Sequence, residues 1–157
     1  MAIRVLKEVN REGGRLPATG ATIIAGQPLE WATATTVQPY SGTAGTFPFG
    51  LASDSNITQP LAGPGGLTVG VGFDYTNFNR GGLIGAFLNG GEFELYNDGT
   101  GVPFVDTGTY ALNKPVYASA AGLVSDVDGG GANPRIGLVM GVVGSAPVTR
   151  LTIKLEI

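Results

Sequence analysis

Neither cysteine nor histidine occurs among the 157 residues. Without thiols there is no disulfide framework and no thiolate nucleophile, and without imidazole as well the usual protein ligands of zinc and haem iron are missing. A Ser-His-Asp triad and a Cys-His pair are excluded on the same ground. No cofactor or metal is therefore expected. Charge is scarce too: Asp, Glu, Lys and Arg make up 13% of the chain, well below the quarter usual for soluble domains. A surface so poor in charge is expected to be covered in part by partners. No stretch approaches the roughly eighteen apolar residues of a membrane span, so no membrane partner is expected. The opening residues hold no apolar run of signal-peptide length, which leads to the expectation of synthesis in a cytoplasm.

The net charge of −3 and a pI near 4.8 oppose the counterion release that drives nucleic-acid affinity, so no nucleic-acid partner is expected. The few basic side chains gather at the start. Arg4, Lys7, Arg11 and Arg15 are four of the nine, against Glu8 and Glu12, which leaves the first sixteen residues at +2 and the remainder at −5. That basic segment carries no aromatic residue on which bases could stack. Docking on an acidic protein surface is the role it suggests.

What is abundant is glycine, with 27 residues, together with 10 prolines and a 43% hydrophobic fraction. Gly and Pro interrupt every candidate helix, and the Val, Thr, Leu and aromatic residues between them suit pleated strands. The fold class expected is all-β, a small Gly-rich barrel or sandwich with many turns. Strands are expected near Thr22 to Ile24, Leu29 to Ala32, Phe47 to Ala52, Leu67 to Tyr75, Pro115 to Ala118, Arg135 to Val143 and Val148 to Ile157. Gly82 to Asn89 and Gly91 to Tyr96 flank Asn89-Gly90, a dipeptide suited to a tight hairpin. In the last strand Leu151, Ile153, Leu155 and Ile157 share one face and Arg150, Thr152, Lys154 and Glu156 the other.

Within this pattern lies a degenerate repeat. Pro28-Leu29 with Phe49-Gly50-Leu51 returns as Pro115-Val116 with Ile136-Gly137-Leu138, an offset of 87 residues both times. Val37 falls on Val124 and Gly42 on Gly129 at the same offset, and Leu67-Thr68-Val69 meets Leu151-Thr152-Ile153 after a three-residue slip. The expected organisation is an N-terminal segment over 1–19, either an extended arm or the first strand of the barrel, and one β domain over 20–157. Within the domain, repeat units run from about Gly20 to Phe73 and from about Thr107 to Ile157, around a central hairpin segment, 74–106.

Constellations that could carry chemistry each have a plainer rival. Glu92 and Glu94 lie two apart on one strand face, at roughly the 7 Å of paired glycosidase carboxylates. No second element supplies a facing acid, so a solvent-facing strand reads better. Asp126-Val127-Asp128-Gly129-Gly130-Gly131 opens like a calcium loop but lacks its later ligands, which favours a hairpin connection. Gly63-Pro64-Gly65-Gly66 precedes a strand, whereas a phosphate cradle needs a helix N-terminus. Asn56-Ile57-Thr58 matches a glycosylation sequon by composition only. Nothing here argues for an enzyme.

Gly26-Gln27-Pro28-Leu29-Glu30-Trp31-Ala32, the run Pro115 to Val124 and Arg135-Ile136-Gly137-Leu138-Val139 resemble tailed-bacteriophage head decoration, or cement, proteins. That resemblance implies a small Cys-poor β fold on the outside of a capsid, with the major capsid protein as partner and self-association as a dimer or trimer. It also implies a location in the virion. Within such a reading the arm is expected to add a strand to a neighbour's sheet edge, and the partner-binding residues would be Ala2, Ile3, Arg4, Val5, Leu6, Lys7, Arg11 and Arg15. The rival is a fibre or carbohydrate-binding module using Trp31, Tyr40, Tyr75 or Tyr96 as stacking platforms.

Overall fold

A computed structural model describes residues 3–7, 11–53, 55–56, 83–97 and 101–157. The strand expected at Leu67 to Tyr75 lies outside them. The described residues form eleven strands and no helix: β1 (Ile3–Val5), β2 (Arg11–Pro17), β3 (Pro28–Trp31), β4 (Thr36–Pro39), β5 (Gly50–Ala52), β6 (Ile84–Phe87), β7 (Glu92–Tyr96), β8 (Pro115–Ala118), β9 (Val124–Ser125), β10 (Arg135–Gly144) and β11 (Val148–Leu155). Strands β2-β4-β3-β5-β6 close into a barrel, and the others form a six-stranded sheet in the order β1-β7-β11-β10-β8-β9. This is the all-β architecture the composition implies.

The repeat is structural, residue for residue. Leu29 pairs with Gly50 and Pro28 with Leu51, just as Val116 pairs with Gly137 and Pro115 with Leu138. Glu30 opposite Gln38 and Trp31 opposite Val37 return as Tyr117 opposite Ser125 and Ala118 opposite Val124. Turn hydrogen bonds recur at the same offset. Ala18 N to Val37 O matches Val105 N to Val124 O, both 2.8 Å. Gly26 N to Ala52 O matches Asn113 N to Val139 O, at 2.8 and 2.9 Å, and both Gly26 and Asn113 hold a positive φ. The correspondence therefore starts earlier than Gly20 and Thr107, because Pro17 runs parallel to Val37 as Phe104 does to Val124.

Beyond β5 and β10 the offset changes. Ala52 pairs with Ala86 and Val139 with Ile153, so β6 is the counterpart of β11. The place beside β5 equivalent to Leu151-Thr152-Ile153, which the sequence alignment gives to Leu67-Thr68-Val69, is held by Ile84-Gly85-Ala86. The closing strand differs in one respect. In the first unit β2 is continuous, pairing with β6 through Arg11 and Glu12 and with β4 through Leu16 and Pro17. In the second, β7 pairs with β11 up to Tyr96, Asn97 N still bonds Thr149 O at 3.0 Å, and Phe104 bridges to Val124 of β9. Each strand from β2 to β6 thus has a counterpart among β7 to β11, and β1 stands outside the duplication.

Burial follows the same rule. The first barrel encloses Ile23, Leu29, Val37, Ala52, Ile84 and Ala86. Their counterparts Tyr110, Val116, Val124, Val139, Leu151 and Ile153 are all buried in the second unit's core. That core also takes Ala25, Tyr40, Leu51 and Phe87 from the outside of the first barrel, where the rings of Phe87 and Phe93 lie 5.0 Å apart. The two units therefore share one apolar layer.

Two local expectations change. Asn89-Gly90 does turn the chain, with Gly90 at φ 96°, but β6 and β7 do not pair. Both edges of each are occupied, β6 by β5 and β2, β7 by β11 and β1. The turn passes the chain from barrel to sheet, because pairing is decided by where each apolar face is buried and not by the turn residue. Thr22 to Ile24 is not a strand. Asn56 Oδ1 accepts from Ile23 N at 2.7 Å and Ser55 Oγ from Ala25 N at 2.8 Å, so side chains satisfy the backbone there. The C-terminal strand alternates as its sequence predicts up to Leu155, while Ile157 is exposed.

Gly50 and Gly137 show how tight the shared register is. A Cβ on Gly50 would lie 2.5 Å from the Phe87 carbonyl oxygen, and one on Gly137 would meet the carbonyl of Lys154, the residue equivalent to Phe87. Backbone cannot yield there without opening the ladder. Gly50→Ala and Gly137→Ala are each expected to cost about 1–3 kcal/mol in urea unfolding, and a neutral effect at either position would contradict the duplicated geometry.

Candidate interaction surface

The structure separates the basic residues of the opening segment into two settings. Arg4 and Lys7 belong to or follow β1 on the sheet edge, whereas Arg11 and Arg15 lie in β2, a barrel strand. Arg15 spreads over the Trp31 ring, 5.1 Å from its centroid. Of the segment 1–19 expected as an arm, the part outside the barrel is the stretch around β1. Ala2 lies outside the described residues.

β1 pairs antiparallel with β7, with Ile3 opposite Leu95, Arg4 opposite Glu94 and Val5 opposite Phe93. Leu6 N adds a 2.9 Å bond to Glu92 O. Ile3 is the anchor, buried in the shared core, while Val5 and Leu6 are 42% and 45% exposed. Two charge contacts hold the outer side: Arg4 to Glu94 at 3.5 Å and Lys7 to Glu92 at 3.9 Å. Both basic partners are well exposed, so each contact contributes little, on the order of 0–1 kcal/mol.

Those contacts start a ladder across the outward face of the sheet. Glu94 also meets Arg150 at 3.6 Å and accepts from the Tyr96 hydroxyl at 2.6 Å. Further along, Glu156 meets Lys154 at 2.9 Å and Arg135 at 2.6 Å. Glu92 and Glu94, weighed from sequence as a hydrolytic pair, therefore sit in ion pairs on an open sheet. The face carries Arg4, Lys7, Arg135, Arg150 and Lys154 against Glu92, Glu94 and Glu156. This patch is basic in a chain of net charge −3. Sequence reading found its N-terminal corner and the shared face of Arg150 and Lys154, but not that strand order joins the two and brings Arg135 beside them.

At the loop end, Glu30 is buried on the outside of the first barrel under the turn over 41–46. Gln38 Nε2 donates to its Oε1 at 2.7 Å. Burial pushes the Glu30 carboxyl up, but donation from Ser41, Gln38 and Thr46 outweighs it and leaves the group below its usual range, although Oε2 receives no hydrogen bond of good geometry. The turn it holds, with exposed Phe47, faces Gly131, Ala132 and Pro134 across a shallow cleft of about 250 Å³. The two sides of that cleft are equivalent loops of the two units. In the Asp126–Gly131 stretch, Asp126 accepts from Thr109 N at 2.7 Å and Asp128 from Gly130 N at 2.9 Å. Both carboxylates thus stabilise turns, and no cluster of metal-ligating side chains occurs among the described residues.

The aromatic platforms divide. Tyr40 is buried, Tyr96 is engaged with Glu94, and Tyr75 lies outside the described residues. Trp31 stays 39% exposed at the barrel mouth, stacked on Phe49 with centroids 4.9 Å apart.

Two outcomes are expected. Because the folded-state pKa of Glu30 is depressed, its stabilisation is present above the ordinary value of 4.5 and is lost as pH falls through the lower folded value. Glu30→Gln should therefore lower stability at pH 7 by about 1–3 kcal/mol and flatten the acid limb of a denaturation series; an unchanged acid limb would remove Glu30 from that role. Trp31→Ala should cost about 1–3 kcal/mol through loss of the stack and the Arg15 contact. Loss of binding on a glycan array at unchanged Tm would instead make Trp31 a sugar platform.

No protein-family model and no curated protein matches the chain. Among solved structures, it is similar to a chain from the capsid of Myoviridae phage XM1, with a TM-score of 0.60 and 15% identity over 98% of this chain and 88% of that one. At that identity the likeness is one of fold, and at 98% coverage it embraces both the barrel and the six-stranded sheet.

Proposed function

We propose that the chain is a structural virion protein: a decoration protein that binds the outer surface of a phage capsid and stabilises the shell by bridging subunits of the major capsid protein. The observation that carries this reading is the fold shared, end to end, with a chain of similar size from a phage capsid. A fragmentary likeness to one barrel would carry much less, since small barrels serve many functions.

The physical properties agree. Low charge, an exposed apolar edge at Val5 and Leu6 and a basic sheet face suit a protein held between others. A closed barrel and a sheet of equivalent strand pairing fixed in one chain offer two similar surfaces at a set spacing, which suits a bridge between repeated partners. Binding to the expanded shell and not to its precursor would stabilise the expanded lattice by mass action, with weak contacts adding over many copies. No catalytic step is proposed.

Capsids lacking this chain, incubated with it and then washed, provide the test. Expected are saturable uptake at about one copy, or about one third of a copy, per major capsid subunit by quantitative mass spectrometry, and rupture of the shell at a higher temperature. A handful of copies per particle would point to a fibre or tail component, and no uptake would overturn the proposal.

A further inference from the structure

The duplication leaves one strand over. β2 to β6 correspond to β7 to β11, and among the described residues β1 has no counterpart. Its acceptor exists for a definite reason. In the first barrel the closing strand is continuous, with β6 along one edge and β4 along the other. In the second the strand divides, β7 staying beside β11 while Phe104 goes to β9, so β7 has an edge that the module itself does not fill. Ile3–Val5 fills it.

From this we infer that β1 is an exchangeable donor strand, and that the β7 edge accepts residues 3–7 of a second copy of this chain. The inference does not depend on the capsid reading and concerns association of the chain with itself. Three observations carry it. The edge is matched chemically to this one peptide: Ile3 enters the core, Arg4 meets Glu94 and Lys7 meets Glu92. A second copy offers the same side chains in the same register. The hold on β1 within one chain is slight, three residue pairs, the Leu6 N to Glu92 O bond, two exposed ion pairs and one buried side chain, so release is easy compared with opening the barrel. Val5 and Leu6 are exposed apolar residues beside the strand, and exchange brings them to the junction between copies, where they can be covered. Strand exchange of this kind gains main-chain hydrogen bonds without a deep pocket and links copies at low cost because the contacts pre-exist within the monomer.

The absence of cysteine makes a direct test possible. Arg4 and Glu94 are cross-strand partners on the outward face, at a separation a disulfide can span. Chains carrying only Arg4→Cys are mixed with chains carrying only Glu94→Cys, unfolded together, refolded at high concentration and oxidised. With one thiol per chain, pairing inside a monomer gives no covalent product. The control mixture is Arg4→Cys with Thr152→Cys, since Thr152 lies one strand beyond Glu94 on the same face. Exchange predicts at least tenfold more covalent heterodimer from the first mixture than from the control. Equal yields, or monomer in both, overturn it. The doubly substituted chain Arg4→Cys/Glu94→Cys, diluted far below the exchange concentration, must close within itself, which verifies the register in the same experiment. As a second measurement, deleting residues 1–7 should convert any oligomer seen by light scattering to monomer while near-UV circular dichroism from the barrel is kept; an oligomer surviving the deletion overturns the inference.

Discussion

Closure of a five-stranded barrel limits what can be put inside it, and both halves of this molecule are answers to that limit. The first unit meets it with small residues. Ala52 and Ala86 face each other across β5 and β6, and Ile23, Leu29, Val37 and Ile84 complete an interior that leaves room for β2 to seal the ring. At the equivalent places the second unit carries Val139, Ile153 and Tyr110. A larger content needs a larger wall. The closing strand is accordingly divided between β7 and Phe104, where β2 is a single strand, and Ala25, Leu51 and Phe87 of the first barrel pack into this core. Tyr110 shows the same logic at atomic scale: its ring replaces Ile23, and its hydroxyl lies 3.0 Å from the carbonyls of both Val105 and Val124. Burial, with nearby Asp126, pushes that hydroxyl's pKa far up, so it stays a donor.

How much of this could be read from the chain depends on the range of the signal. The Pro-apolar and Gly-Leu anchors at 28–29 with 50–51 and at 115–116 with 137–138 are local and rigid, and they predicted the repeat because each Gly must admit a carbonyl from the next strand. The alternation of β11 was legible for the same reason, since one face is buried and the other is not. What misled were features whose outcome is decided at a distance. Asn89-Gly90 has the chemistry of a hairpin turn, yet the strands beside it already have other partners. Leu67-Thr68-Val69 imitates Leu151-Thr152-Ile153 in composition, while Ile84-Gly85-Ala86 occupies the equivalent place beside β5. The basic sheet face was legible in two pieces, at Arg4 and Lys7 and, by alternation, at Arg150 and Lys154. Their union, with Arg135 beside them, comes through strand order, which no spacing rule encodes.

Charge and apolar area are distributed in a way that separates folding from association. The two cores are built with Glu30, Gln27 and Ser125 as the buried polar side chains among the described residues, and Glu30 is placed to hold a turn and not to titrate in a cleft. Ionic groups are spread over the sheet's outward face in mutually neutralising rows, where they add little to stability but present a surface that a partner of opposite charge can meet without large desolvation. This fits a protein whose contacts are many and individually weak.

The position of β1 in the chain has a consequence for synthesis. Residues 3–5 leave the ribosome before the first barrel, and their partners at 93–95 come after the whole of it has been made. The first barrel can close once Phe87 is out, but β7 is not steadied from its other side until β11, at 148–155, has emerged. A segment made before the barrel is thus placed after it. Throughout elongation it trails from a finished barrel with its apolar Ile3 uncovered, and on a crowded message neighbouring nascent chains pass through the same stage side by side.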